Sequence, residues 1–353
     1  MGCGMISGQY SRVLKESPRV RLVGGFDLDR PTADSWAKEH SARSFSSLEE
    51  LLAEPSIQVV INLTPPRAHA EVTEAALAAG KHVYSEKPLA TTSAEARRLC
   101  DLAQESGLAL CSAPDTFLGY GIQAARQAID EGLIGEPFAL NACFASHGME
   151  HWHPNPGFFY KKGAGPAFDM GPYYLTAIIF LLGPVVATTS LTTKAFPFRQ
   201  VEAGPRKGEQ LEVEVPTHLI GLMKLREGPI ASITLSFDVW ATELPRIEIY
   251  GTKGTLSVPD PNTFSGPLRL AAGRSGWREL EIAPPPEPQG RGIGVLELIE
   301  AVSEARPPLT HCSLGLHVTE VLESLTDESN RLGWREITSS VERPAPYSRP
   351  LIR

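Results

Sequence analysis

Apolar and polar positions in the first third of the chain follow two alternating rhythms. Short apolar runs at residues 21–26, 57–63, 82–85 and 108–112 have the length and content of buried strands. Between them lie stretches with apolar residues three and four apart, as on one face of a helix. The first carries Ile6, Tyr10, Val13 and Leu14; others start at Pro31, cover 47–54, and run over 67–79 to a stop at Gly80. Thr92-Ser93-Ala94-Glu95 is a capping box for one more helix, which ends before Gly107. Strand and helix in alternation predict βαβ units and a doubly wound parallel sheet. After Ala113-Pro114-Asp115-Thr116 the rhythm changes. A helix over 119–131, a strand over 138–146 and a helix over 169–182 give way to strand-like runs at 185–191, 217–225, 230–237, 247–250, 256–258 and 268–271. Gly251-Thr252-Lys253-Gly254 has the composition of a hairpin turn. Two further helices are predicted over 294–305 and 314–332, and the tail from Pro344 reads as loosely ordered. The fold class is α/β plus α+β: one domain over 1–115, and a second over 116–353 with an open, mostly antiparallel sheet.

The helix after Gly4 is opened by Gly2-Cys3-Gly4-Met5-Ile6-Ser7, one residue away from the dinucleotide fingerprint of a Rossmann domain. Gly2 permits a tight turn, Gly4 lets main chain approach a pyrophosphate, and the helix N-terminus offers N–H groups and a favourable dipole. Asp27 ends the next strand about 20 residues on, where a ribose-binding carboxylate belongs; a helix-capping role is its structural alternative. Arg30 can stack on adenine or hold a 2′-phosphate, so the reading is NAD with NADP left open. A Rossmann sheet places its first strand centrally, and no residues before Gly2 can make that strand. The expectation is a truncated or mis-assigned start at Met1, with about 5–8 apolar, β-branched residues running into Gly2.

Composition narrows the class. The 353 residues are 42% apolar, enough for two cores. Thirty-three Lys and Arg against 41 Asp and Glu give a net charge of −8, which speaks against nucleic acid. Five scattered cysteines with no CxxC pair, no secretory leader pattern and no apolar run long enough to span a bilayer point to a cytoplasmic protein off the membrane.

Two stretches carry candidate chemistry. Glu86-Lys87-Pro88 follows the strand at 82–85, at the sheet edge where ligands bind, and a desolvated lysine shifts its pKa readily. Asp169 and Tyr173, in Asp169-Met170-Gly171-Pro172-Tyr173, stand one helical turn apart and can reach one substrate; an N-cap aspartate with a core tyrosine is the plainer reading. His147-Gly148-Met149-Glu150-His151 has the spacing of an inverted zinc motif. Gly148 and Pro154 argue for a loop there, so no metal is assigned. Trp152, His153 and Tyr160 then read as a polar-aromatic lining suited to a sugar ring.

With its glycine-rich start, the Thr64-Pro65 loop with His69, Glu86-Lys87-Pro88, the Asp-x-Gly-x-aromatic helix and Ile249-Tyr250-Gly251-Thr252-Lys253-Gly254-Thr255, the chain resembles the Gfo/Idh/MocA oxidoreductases over nearly its whole length. The resemblance implies hydride transfer between NAD(P) and a sugar or cyclic polyol, and a homo-oligomer formed through the C-terminal sheet. It implies a cofactor set of Gly2, Gly4, Met5, Ile6, Asp27, Arg30, Thr64, Pro65, His69, Glu86 and Lys87. Lys87, Asp169 and Tyr173 form the implied catalytic set, and Asp115, Trp152, His153 and Tyr160 the substrate set. Tyr173 stands where many members have histidine. Free tyrosine titrates near 10; a lysine nearby lowers that value and a carboxylate raises it. The expected division of labour is a Lys87 hydrogen bond to the reacting oxygen and a proton relay at Tyr173. Two rivals remain: a glycoside-cleaving or sugar-isomerising enzyme that oxidises its substrate transiently, and a dinucleotide-binding regulator without catalysis.

Overall fold

The computed structural model describes residues 1–286, 288–327, 333–347 and 352. Its elements run α1 (Met5–Glu16), β1 (Gly24–Gly25), α2 (Arg30–His40), β2 (Arg43–Ser44), α3 (Leu48–Leu52), β3 (Val59–Asn62), α4 (His69–Ala78), β4 (His82–Ser85), α5 (Ser93–Glu105) and β5 (Leu110–Ser112). There follow α6 (Tyr120–Asp130), β6 (Pro137–Ala145), α7 (Gly165–Leu182), β7 (Val185–Thr193), β8 (Phe198–Gln200), β9 (Gln210–Glu212), β10 (His218–Leu225) and β11 (Ile230–Ser236). The chain continues through β12 (Ile247–Gly251), β13 (Gly254–Val258), β14 (Leu268–Ala272), β15 (Trp277–Leu280), α8 (Ile293–Ser303), α9 (Cys312–Thr326) and β16 (Arg335–Glu336). Residues 328–332, the end of one predicted helix, lie outside the described residues.

Two compact units result: residues 1–119 with 284–319, and residues 120–283 with 320–353. The return of 284–319 to the first unit is not announced by the pattern along the chain, which reads as one boundary near residue 115.

In the first unit, β3, β4 and β5 pair in parallel, and β1 pairs in parallel with β2. Successive residues of a strand face opposite sides, and each side has its core. Val60, Val83 and Leu110 pack with Leu51, Leu77 and Leu99, whereas Tyr84 and Cys111 pack with Tyr10, Leu14, Val295 and Leu298. The strands are buried on both faces, which is why they read as unbroken apolar runs. The sheet is in two pieces, with the break where the first strand of a doubly wound sheet belongs. Met1 and Gly2 reach into that break. The Met1 nitrogen donates to the Ile61 carbonyl (3.1 Å), Leu63 N–H donates to the Met1 carbonyl (2.8 Å), and Gly2 N–H donates to the Phe26 carbonyl (2.9 Å). Pairing of the predicted 21–26 strand shrinks to Gly24–Gly25, since one of its sides faces the break.

The second unit is a nine-stranded sheet in the order β15-β14-β13-β12-β6-β11-β10-β7-β16. Only β6 and β11 run parallel; the other neighbours are antiparallel. In β10 buried and exposed residues alternate strictly, the pattern of a sheet covered on one face. Gly171 of α7 allows close packing against α9, since a Cβ would run into the Leu322 side chain. The predicted loose tail is pinned in its described part: Arg126 donates to the Pro344 carbonyl (3.0 Å), and Tyr347 N–H donates to Gln123 (2.9 Å).

Candidate active site

The glycine loop is built around Gly2, whose φ of +78° is left-handed; a Cβ there would stand 2.6 Å from the Leu63 carbonyl oxygen. Gly4 is the N-cap of α1 and supplies no side-chain cap to the first N–H groups of that helix. A Cβ on Gly4 would meet nothing within 4 Å, so there is open space over Gly4. Met5, 75% exposed, and Ile6 form the first turn of α1. Asp27 ties the loop to the end of β1: Oδ2 accepts Cys3 N–H (2.8 Å) and Oδ1 accepts Asp29 N–H (2.9 Å). The α2 cap is Asp29, which accepts Thr32 N–H. Asp27 therefore does not cap that helix, and each of its oxygens keeps a second lone pair for a hydroxyl donor. Arg30 lies along its own helix, paired with Asp34 (2.9 Å) and donating to the Phe45 carbonyl (3.2 Å).

The loop after β3 holds Thr64 and Pro65, with the Thr64 hydroxyl donating to Asn62 (2.6 Å). His69 is 1% exposed. Its Nδ1 stands 2.6 Å from the Pro88 carbonyl and its Nε2 2.7 Å from the Thr64 carbonyl. Burial pushes its pKa down and the two carbonyls pull it up, with burial ahead. Direct cofactor contact by His69 is thus corrected: its ring is committed to main chain, and it braces the Thr64 loop against the segment after Lys87. Glu86 is buried likewise, accepting the Tyr10 hydroxyl (2.8 Å) and Lys87 N–H (2.9 Å). It locks the loop that carries the half-buried Lys87 onto α1.

Asp115 is another correction. It is fully buried, and its Oδ2 accepts the N–H groups of Gly292 (2.7 Å) and Gly294 (3.1 Å) at the start of α8. It caps a helix whose first N–H groups have no intrahelical partner and does not line a substrate site. Gly294 must be glycine, because a Cβ would stand 2.6 Å from the Tyr84 hydroxyl. Burial raises the Asp115 pKa from 3.8 to about 6; the two glycine N–H groups and Arg291 pull it down, and Glu86 pushes it up. The sign follows from linkage. A carboxyl whose folded pKa is raised binds protons more tightly in the folded state, so its contribution to stability falls as pH rises from about 4 to about 6. Two pKa units correspond to about 3 kcal/mol. Asp115→Asn is expected to remove that slope. Denaturation midpoints of both proteins between pH 4 and 7 would diverge; parallel profiles would refute the assignment.

In the second unit α7 begins at Gly165, so Asp169 lies one turn inside the helix and is not its cap. Tyr173 is buried, 5% exposed, one turn further on. Burial lowers the His153 pKa; the Asn155 N–H bond to its Nδ1 (3.0 Å) and, less, the Asp169 carboxylate act the other way, with burial ahead. Trp152 stays 53% exposed beside His153. Tyr160 is corrected: it is fully buried, and its hydroxyl donates to Glu150 and accepts Met149 N–H.

Glu150 in turn takes Arg199 (2.8 Å), whose other nitrogen pairs with Asp238 and donates to the Phe237 carbonyl (2.7 Å). His147 stacks on Trp240. The His147–His151 stretch is therefore organised round a buried arginine. Among the described residues, no group of three His, Cys, Asp or Glu could hold a metal ion. Sequence reasoning missed Arg199; the available signal was an arginine that follows two aromatic residues, Phe196 and Phe198.

A Rossmann unit with a glycine loop, joined to a unit with an open, mostly antiparallel sheet, defines a class of two-unit dinucleotide-dependent oxidoreductases. Residues 1–113 match the oxidoreductase family with the NAD-binding Rossmann fold (GFO_IDH_MocA), and residues 122–257 match the GFO/IDH/MocA C-terminal domain. The chain belongs to the Gfo/Idh/MocA oxidoreductase family. An uncharacterised oxidoreductase of Schizosaccharomyces pombe is 30% identical over 222 residues, 61% of this chain and 56% of its own length. Trans-1,2-dihydrobenzene-1,2-diol dehydrogenase of Bos taurus is 26% identical over 266 residues, 74% of this chain and 73% of its own. The chain thus spans between about half and three quarters of these relatives' length. A solved levoglucosan dehydrogenase in complex with NADH and L-sorbose shares the fold, with a TM-score of 0.81 at 20% identity over 96% of this chain and 97% of that one.

Proposed function

We propose that the protein is an NAD-dependent dehydrogenase or reductase acting on a sugar or cyclic polyol. The observation that carries the reading is the glycine loop: an uncapped N-terminus of α1 beneath open space at Gly4, with the Asp27 carboxylate fixed at the end of β1. That donor set fits a dinucleotide. N–H groups of Met5 and Ile6 suit the pyrophosphate, and Asp27 suits ribose hydroxyls. A carboxylate there repels a 2′-phosphate, and Arg30 is engaged with Asp34, so NAD is favoured over NADP. When bound, the nicotinamide supplies the carbon that gives or takes the hydride.

The chain's own residues supply the rest. Lys87 donates a hydrogen bond to the reacting oxygen, with its loop held by Glu86 and Tyr10. Tyr173 relays the proton. Asp169 accepts from substrate hydroxyls, and exposed Trp152 offers an apolar face to a sugar ring. The names of the trans-1,2-dihydrobenzene-1,2-diol dehydrogenase and the levoglucosan dehydrogenase, the latter solved with NADH and L-sorbose, support that substrate class.

The test is titration of NAD and NADP, followed by a panel of sugars and cyclic polyols read through NADH absorbance. Turnover with NAD and one such substrate is the expected result. Solvent hydrogen exchange into the substrate without net NADH would replace this reading by transient oxidation, and absence of cofactor binding would replace it by neither enzyme. Tyr173→Phe is expected to lower kcat about 100-fold with NAD affinity unchanged; full turnover would remove Tyr173 from the relay.

A further inference from the structure

Three of the five cysteines gather in the first unit, although they are far apart in the chain. Cys100 lies on α5, Cys111 on β5, and Cys312 opens α9. Strand alternation turns Cys111 to the core that holds Tyr84 and Val295, and Thr310 bonds to its thiol. Cys312 sits in the opposite core with Leu89, Ala90, Leu99 and Leu316, and Cys100 packs against the same cluster. There the Cys100 and Cys312 thiols share a hydrogen bond. Cys312 is 1% exposed, whereas Cys100 is half-buried and open to small solutes. These three thiols and His311 are not placed to hold a metal ion. Apolar packing accounts for a buried cysteine taken singly. It does not require two thiols, brought from distant helices, to meet sulfur to sulfur with one of them open to solvent.

We propose that Cys100 and Cys312 are a redox pair that closes to a reversible disulfide when the protein meets a peroxide, with Cys100 attacking and Cys312 resolving. In the first step the Cys100 thiolate attacks one oxygen of hydrogen peroxide. The O–O bond breaks, the sulfur is oxidised to a sulfenic acid, and the departing hydroxide takes up the proton the thiol gave away, as water. In the second step the Cys312 sulfur attacks the sulfenic sulfur. An S–S bond forms, the S–O bond breaks, and the departing hydroxide takes the Cys312 proton as a second water. Peroxide is the two-electron oxidant, and a dithiol returns both cysteines by exchange.

Access and protonation set the order of the two sulfurs. The hydrogen bond to Cys100, then burial, push the Cys312 thiol up, so Cys312 keeps its proton and is not the first nucleophile. It is placed to resolve, because it already touches Cys100 and stands at the N-terminus of α9, whose N–H groups favour the negative charge that grows on its sulfur during attack. The bond ties α5 to the returning segment 284–319, beside Leu89 and Ala90, which follow Lys87-Pro88. One turn into α9, a Cβ on Gly315 would stand 3.2 Å from the Leu89 Cβ, so the pinned start of α9 is the floor under that segment. A cross-link between residues so far apart in the chain restricts the unfolded state strongly, and the oxidised first unit therefore resists unfolding better than the reduced one.

The test exposes the fully reduced chain to hydrogen peroxide, alkylates the thiols that remain, and maps the peptides by mass spectrometry without reduction. The expected result is a mass lower by two hydrogens, one cross-linked pair of peptides carrying Cys100 and Cys312, and recovery of both thiols with dithiothreitol. The oxidised chain is expected to melt roughly 5 °C or more above the reduced one. Cys111→Ser is expected to form the same bond. In Cys312→Ala the sulfenic acid has no resolving thiol, so dimedone is expected to trap it at Cys100. Full alkylation of every cysteine after peroxide, a bond through Cys111, oxidation of Cys100 to the sulfinic acid with no bond, or a dimedone adduct on Cys312 in Cys100→Ala each overturns the proposal. Should Cys312→Ala fail to fold, the bond map of the parent chain decides between the same outcomes. No nucleotide or substrate is present, so the result is independent of the proposed dehydrogenase activity.

Discussion

Lys87→Ala is expected to lower kcat on the order of 10³-fold. Positioned proton donors contribute about 10²–10⁴-fold, and in the proposed reaction Lys87 is such a donor, on a loop held through its main chain. Its N–H donates to Glu86, Glu86 accepts from Tyr10 of α1, and Pro88 is braced by His69. The alanine variant keeps every one of those bonds, because none uses the lysine side chain, so the effect isolates the ammonium. Lys87→Arg is the discriminating second variant. It keeps the charge but spreads it over a planar fork, so partial activity with a shifted pH profile is expected. Stopped-flow measurement of hydride transfer, with cofactor binding followed separately, distinguishes loss of chemistry from loss of the site. Hydride transfer within tenfold of the parent in Lys87→Ala would remove the lysine from the reaction.

The parts of this molecule that were legible in the chain are those set by nearby residues. The strands β3, β4 and β5 are buried on both faces and therefore show as apolar runs; the helices between them are closed by Gly80 and Gly107, or capped by Thr92. The glycine loop was legible because the left-handed φ of Gly2 and the N-cap position of Gly4 belong to one short turn at the start of α1, although the close approach of Leu63 to Gly2 was not. What could not be read depends on residues far apart in sequence. Asp115 looks like a sheet-edge ligand residue until Gly292 and Gly294 arrive, 177 and 179 residues later, to take its oxygen. Tyr160 reads as a sugar-binding aromatic until Glu150 and Arg199 bury it. His69 sits in the right loop for a cofactor ligand, but its ring is turned inward by two carbonyls that carry no side-chain signal. The break in the parallel sheet was foreseeable from the order of elements; its apolar walls, including Val295 and Ile299 from the returning segment, were not.

Arg199→Met is expected to destabilise the second unit by about 3–5 kcal/mol, the cost of stranding buried charges when one partner of a buried pair is removed. The Arg199, Glu150 and Asp238 side chains are 4%, 5% and 6% exposed, so water cannot replace the guanidinium. Arg199 also donates to the Phe237 carbonyl and lies over the Phe196 ring, contacts that methionine cannot reproduce in full. Glu150 holds the Tyr160 hydroxyl, and the loop between them carries Trp152 and His153. Loss of Arg199 should therefore raise KM more than it lowers kcat, because the aromatic lining loosens while α7, with Asp169 and Tyr173, keeps its own packing. The charge argument has its own control. Arg199→Met combined with Glu150→Gln and Asp238→Asn leaves no stranded buried charge and is expected to recover part of the lost stability, the part due to those charges. If the single variant melts with the parent, or the triple variant is less stable than the single, the arginine is not what holds that loop.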